Sequence, residues 1–144
     1  MSETAQLPPV SADEWLARFI TIDKWVRADK SIRPDAFIPP KDLNLSVIRH
    51  LNLSEENLWR LGQSVADAIS EKRRGGLHGR ADITADDVSR QTLKVEAAPF
   101  AENPNHAHIT GWPDKPAQKN IAQRLAAAAK FVAKPQSLES AEGR

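Results

Sequence analysis

The most regular alternation of apolar and polar positions lies between residues 54 and 76. Leu58, Leu61, Val65, Ala68 and Ile69 recur at spacings of three and four, which puts them on one face of a helix. Ser54 stands where an N-cap is needed, and Glu55 and Glu56 suit the positive end of the helix. Lys72, Arg73 and Arg74 complement the negative end, and Gly75-Gly76 stop it. A second stripe, Ile121, Leu125, Ala128 and Val132, predicts a C-terminal helix capped by Asp114 and ended by Pro135. Ala126 to Ala129 raise its intrinsic propensity.

A period of two marks the strands. Leu43, Leu45 and Val47 alternate with Asn44 and Ser46, and Leu93 and Val95 alternate with Lys94 and Glu96. Leu77 to Ile83 and His106 to Thr110 have strand character as well. Ser11 followed by Glu14 is a capping-box pattern, predicting a short helix through Trp15 and Leu16 before strand-like Phe19 to Ile22. Thr84 with Asp87 repeats the pattern. Pro34, Pro39 and Pro40 make residues 28–42 a loop. The expected fold class is α+β, a mostly antiparallel sheet of about four to five strands with two main amphipathic helices packed on one face.

The chain has 144 residues, enough for one domain that buries roughly two-thirds of its unfolded surface. We expect a disordered lead-in over 1–10, one α+β domain over 11–134 and a flexible tail over 135–144. There is no cysteine, so disulfides and thiolate chemistry are excluded and a reducing cytoplasm fits. No apolar run approaches the ~18 residues of a membrane span, and the N-terminus lacks a secretory pattern. The net charge of +1 hides an asymmetry: residues 1–71 carry 8 basic and 11 acidic side chains, and the remainder carry the basic excess. Lys115 to Lys134 contains no acidic residue.

Candidate chemistry centres on Asn103-Pro104-Asn105-His106-Ala107-His108. On a strand, His106 and His108 face the same way with Cβ atoms ~7 Å apart, a spacing that suits a pair of metal ligands or an acid–base pair. Zinc would need a third ligand, and nothing in the sequence brings His50, His78, Glu96 or Glu102 near, so neither a metal nor a cofactor is expected. Arg49 and His50 end a strand, where an arginine can clamp a phosphate or carboxylate, and Arg33 belongs to the same group. Trp112, between Gly111 and Pro113, either caps a pocket or packs beneath the last helix. Lys119, Gln123 and Lys130 share an outer face if the helix runs through Val132, which makes a basic patch with Lys115, Arg124 and Lys134. No nucleophile elbow, zinc-protease, dinucleotide or kinase motif is present.

Ser31 to Phe37, Leu45-Ser46-Val47 followed by Arg49, Asn103-Pro104 with His106-Ala107, Ile109 with Gly111, and the Ala-rich closing helix together resemble a family of small, functionally uncharacterised bacterial proteins. The resemblance spans most of residues 15–133. It implies that His106 matters more than His108, and it supplies no activity.

Two functions compete. The first is a cytosolic binding or interaction module, with a protein partner or an anionic ligand on the basic C-terminal helix; nucleic acid is not excluded, and no membrane contact is expected. The second is a metal-independent enzyme acting on a phosphate-containing substrate, RNA or a nucleotide, with His106 as acid or base and Arg49 stabilising phosphate charge. Arg33, His108, Trp112, Lys119 and Lys130 are the candidate ligand contacts. A toxin–antitoxin or phage-defence setting fits the second. Oligomeric state is not legible.

Overall fold

The computed structural model describes residues 8–70 and 76–135. The expected leader as far as residue 7, the Lys72–Arg74 helix end with Gly75, and the tail from residue 136 lie outside the described residues. The elements in chain order are β1 (Trp15–Ile20), β2 (Leu45–Arg49), α1 (Glu55–Ser70), β3 (Gly79–Thr84), α2 (Ala85–Arg90), β4 (Lys94–Ala97), β5 (His106–Thr110), α3 (Lys115–Ala128) and β6 (Lys130–Ala133). Two 3-10 turns, Asp23–Trp25 and Pro34–Phe37, punctuate the proline-rich connection. The strands form one six-stranded antiparallel sheet in the order β4-β5-β2-β1-β3-β6.

The α+β class with an antiparallel sheet stands, with six strands rather than four or five. The two main helices cover opposite faces, not one. Ile121, Ala122, Leu125 and Ala126 of α3 join Leu16, Ile20, Leu45, Val47, Ala81, Ile83 and Ile109 in the larger core. Leu58, Trp59 and Ala66 of α1 join Ala17, Phe19 and Ile48 on the other side. β1 therefore buries both of its faces, as a central strand between two helical layers must.

That demand explains the first correction. The Ser11–Glu14 pattern makes only a turn, closed by the Glu14 N–H on the Ser11 carbonyl at 3.1 Å. The residues after it form β1 instead of a helix, because a strand pairs all six positions with β3 and buries both apolar sets. The Thr84 capping box does form, with the Asp87 N–H donating to Thr84 Oγ1 at 3.1 Å and the Thr84 N–H to Asp87 Oδ2 at 3.0 Å.

The second correction is at the C-terminal helix, which stops at Ala128. Lys130, Phe131 and Val132 then pair with Asp82, Ala81 and Arg80. Val132, read as the last residue of a helical stripe, is an edge-strand residue. β-branched and aromatic side chains fit a pleated edge against β3 better than a further helical turn. Among the described residues no helix is long and apolar enough to cross a membrane.

Candidate functional site

The sheet has one weak seam. β1 and β2 are joined by two residue pairs, Leu16↔Arg49 and Ala17↔Ile48. β1 makes six pairs with β3, and β2 makes four with β5, so each strand is held by its outer neighbour while the seam opens. At the opening Arg18 takes the place of a ladder partner. Its Nη1 donates to the Ser46 carbonyl at 3.1 Å and its Nε to the Ala36 carbonyl at 2.7 Å. The guanidinium lies over the Trp25 ring, 5.4 Å from its centroid.

A cavity of about 340 Å³ sits at this opening. Phe19, Ile48 and Val65 give it apolar walls, while Arg18, Asn103 and His106 bring polar groups to its lining. The volume is at the small end of the ~300–1,000 Å³ usual for ligand pockets, which suits a small molecule rather than a polymer.

Three arginines are drawn into the fold, and they are balanced differently. Arg49 is 1% exposed and bonds both carboxylate oxygens of Glu14, with Nη2 to Oε1 at 3.0 Å and a further bond to the Pro8 carbonyl at 2.7 Å. Arg80 bonds Glu55 through two parallel N–H groups at 3.0 Å each and donates Nε to Asp82, which also contacts His50 Nε2 at 3.1 Å. Arg18 has only carbonyls and an indole ring. Among the described residues no carboxylate lies within ion-pair distance of it. Burial pulls its guanidinium down to about 10, with no opposing charge to hold it up.

His106 opens β5 and is 6% exposed. Its Nδ1 lies 3.0 Å from the Ala98 carbonyl, an acceptor only, so Nδ1 carries the proton and Nε2 presents a lone pair. No described residue partners Nε2. The ring stacks on Phe100 (centroids 4.5 Å, planes at 23°) and meets His108 edge-on at 4.8 Å. Burial lowers its proton affinity against the support of the Ala98 bond, and His108 lowers it further.

The loop before it is tied at both ends. Asn103 and Phe100 exchange backbone hydrogen bonds at 3.1 Å, and Asn105 Nδ2 donates to the Arg49 and Leu51 carbonyls at 2.8 and 2.7 Å. Asn103 is 8% exposed with its Oδ1 buried and without a hydrogen-bond partner.

No family model, curated protein or solved structure matches this chain.

The sequence-derived candidates separate as follows. His106 lines the cavity. Arg49 projects to the opposite sheet face, since its neighbour Ile48 is the residue registered against His106, and it is spent on Glu14. His106 and Arg49 therefore do not form one site. His108 is registered against Ser46 and Glu96 on the His106 face, beside the cavity rather than in it. Trp112 is buried in the α3 core with its indole N–H on the Ile109 carbonyl at 2.9 Å, so it packs and caps nothing. Arg33 is exposed at the start of the 34–37 turn and outside the cavity lining. Lys119 is exposed on α3, whereas Lys130 belongs to β6 opposite Asp82, so the expected shared helical face does not exist. Among the described residues no three metal-ligating side chains cluster.

Arg18, the residue not singled out from sequence, carried a readable signal. It is a charge at the centre of Trp15-Leu16-Ala17-Arg18-Phe19-Ile20, in step with the buried Leu16 and Ile20. A helical reading of the segment hides that period.

The imidazole gives a direct test. His106 should titrate below its ordinary 6.5 and show the Nδ1–H tautomer in long-range proton–nitrogen correlation spectra. Between the lowered folded value and 6.5 the unfolded chain binds more proton than the folded one. The stability His106 contributes is thus present above pH 6.5 and is lost as the pH falls through the folded value. Titration at or above 6.5, or an Nε2–H tautomer, contradicts the assignment.

Proposed function

We propose that this chain is a small-molecule-binding module whose ligand carries an anionic group on a compact apolar body. The observation that supports it is Arg18, a half-buried arginine that borders an apolar cavity and has no carboxylate partner among the described residues. A desolvated charge is costly to leave uncompensated, and a carboxylate or phosphate entering the cavity supplies the missing partner. Arg49 and Arg80 show what this fold does with an inward arginine when no ligand is intended: each has its own carboxylate.

The competing reading, phosphate-ester chemistry by His106 and an arginine, requires Arg18 in the role first given to Arg49. Both residues border the cavity, but Arg18 leaves β1 on the Leu16 face and His106 lies on the Ile48 face, so only the free Nε2 lone pair favours it. The narrow volume favours binding of a small anion over cleavage of RNA.

The test uses the full chain with short straight-chain, branched and ring-bearing carboxylates, their primary amides, and inorganic phosphate. Trp25 borders the cavity, so its fluorescence is the readout alongside thermal shift. At least one acid should bind, its amide about tenfold or more weaker, and Arg18→Met should lose the preference while Arg18→Lys keeps part of it. Equal binding of acids and amides, or undiminished acid binding by a folded Arg18→Met, refutes the reading. Hydrolysis of a phosphodiester that depends on both His106 and Arg18 would install the enzyme in its place.

A further inference from the structure

We infer that two copies of this chain pair antiparallel through the β4 edge, about a two-fold axis at Val95 that sets Lys94 of each copy against Glu96 of the other. The pairing is independent of the anion site, since no β4 residue borders the cavity.

Backbone register decides which groups this edge offers. β4 is an outermost strand, and β5 is its one strand neighbour among the described residues. The Ala98 N–H donates to the His106 carbonyl at 2.9 Å, and on the far side of β5 the Arg49 N–H donates to the Asn105 carbonyl at 2.9 Å. Hydrogen-bonded and non-hydrogen-bonded pairs alternate along an antiparallel ladder. Lys94 and Glu96 therefore spend their backbone groups on Thr110 and His108, two and four positions along from the Ala98 bond. Val95 and Ala97 turn their N–H and carbonyl groups away from β5. With the axis at Val95, the two Val95 residues exchange both bonds, and a closed two-fold pair results.

Charge selects that axis. Lys94 and Glu96 are exposed on one face of the strand, and among the described residues neither makes an ion pair. Glu96 only accepts the Thr110 hydroxyl at 3.1 Å. The Val95 axis places each Lys94 opposite the other copy's Glu96 in a non-hydrogen-bonded pair, where side chains come closest. Moving the axis by one residue sets Lys94 against Lys94 or Glu96 against Glu96, and like charges directly opposite are unfavourable. The other edge differs. β6 carries Lys130, with Lys134 directly after it and no carboxylate between them, so two copies meeting there find no opposite charge. Lysine in that setting guards an edge against pairing. A four-residue edge buries less than the ~1,200 Å² at which stable interfaces begin, so the β4 pair is weak and concentration-dependent.

Sedimentation equilibrium of the full chain over a range of concentrations, at low and high salt, tests the pairing. The wild-type chain should show a monomer–dimer equilibrium that salt weakens. Lys94→Glu leaves two carboxylates on the edge and Glu96→Lys two ammonium groups, so each variant alone should dimerise about tenfold or more weakly. Mixed together, the two should associate at least as well as wild type, because every facing pair is then of opposite sign. Recovery on mixing cannot come from unfolded chains, and both positions are exposed, so circular dichroism should show each variant folded. A wild-type chain that stays monomeric at about 1 mM overturns the inference. Single variants that dimerise like wild type, or that fail to associate when mixed although folded, overturn it as well.

Discussion

Glu14→Ala should cost about 3–5 kcal/mol of folding stability, the largest single-site loss we expect in this molecule. The Glu14 carboxylate is 5% exposed and its partner Arg49 1%, and the pair bridges the start of β1 to the end of β2. Removing the carboxylate leaves a guanidinium in the interior with only the Pro8 carbonyl to bond. Truncating one partner of a buried pair is far worse than losing an exposed ion pair, worth roughly 0–1 kcal/mol. Against a typical total of about 5–15 kcal/mol the loss is a large fraction. Urea unfolding at unchanged slope measures it directly. Glu14→Leu combined with Arg49→Met should recover much of the loss, because two apolar side chains leave no buried charge behind. A Glu14→Ala penalty under about 1 kcal/mol would mean that Arg49 finds water in solution.

Gly62→Ala is the second large effect, and its sign opposes simple propensity. In an exposed helix the change gains about 1 kcal/mol. Gly62 instead sits where α1 rests on the sheet, and a Cβ there would overlap three atoms of the Phe19 ring. That ring is 5% exposed and packed edge-on to Trp59 with centroids 6.0 Å apart, so it has little room to yield. Overpacking of this kind costs about 1–3 kcal/mol, and we expect a net loss of about 1–2 kcal/mol after the propensity gain. Ser64→Ala, at an exposed position of the same helix, is the control and should be neutral or slightly stabilising. A stabilised Gly62→Ala would show that α1 lifts off Phe19 at little cost.

Both sites mark where the sequence reading ran short. The spacing puts the α1 stripe on Leu58, Leu61, Val65, Ala68 and Ile69, the side chain of the last lying outside the described ones. The buried face runs through Leu58, Trp59, Gly62 and Ala66, with Leu61 and Val65 only partly covered and Ala68 exposed. The helix exists because of its own period. Its rotation is set by which side chains fit over Phe19, and a glycine at the contact is invisible to a hydrophobicity count. The Ser11–Glu14 pattern failed for a related reason: Glu14 accepts the Ser11 N–H at 3.4 Å but also pairs with an arginine 35 residues away, and no helix follows.

Local chemistry by itself determined a good deal: an α+β chain with strands around residues 45, 80, 95 and 108, helices that open near residues 55 and 115, a working capping box at Thr84, and His106 and His108 on one side of a strand. These follow from side-chain period, capping residues and proline placement, all readable within a few neighbouring positions. Tertiary structure alone decided which face each helix covers, that Lys130 to Ala133 becomes an edge strand, and which arginine meets which carboxylate. It also put His106 on the sheet face opposite Arg49 and Arg18. Long-range pairing carries the reason, since a charge in a strand is structural or ligand-ready according to whether a distant segment delivers its counter-ion, and no local pattern records that.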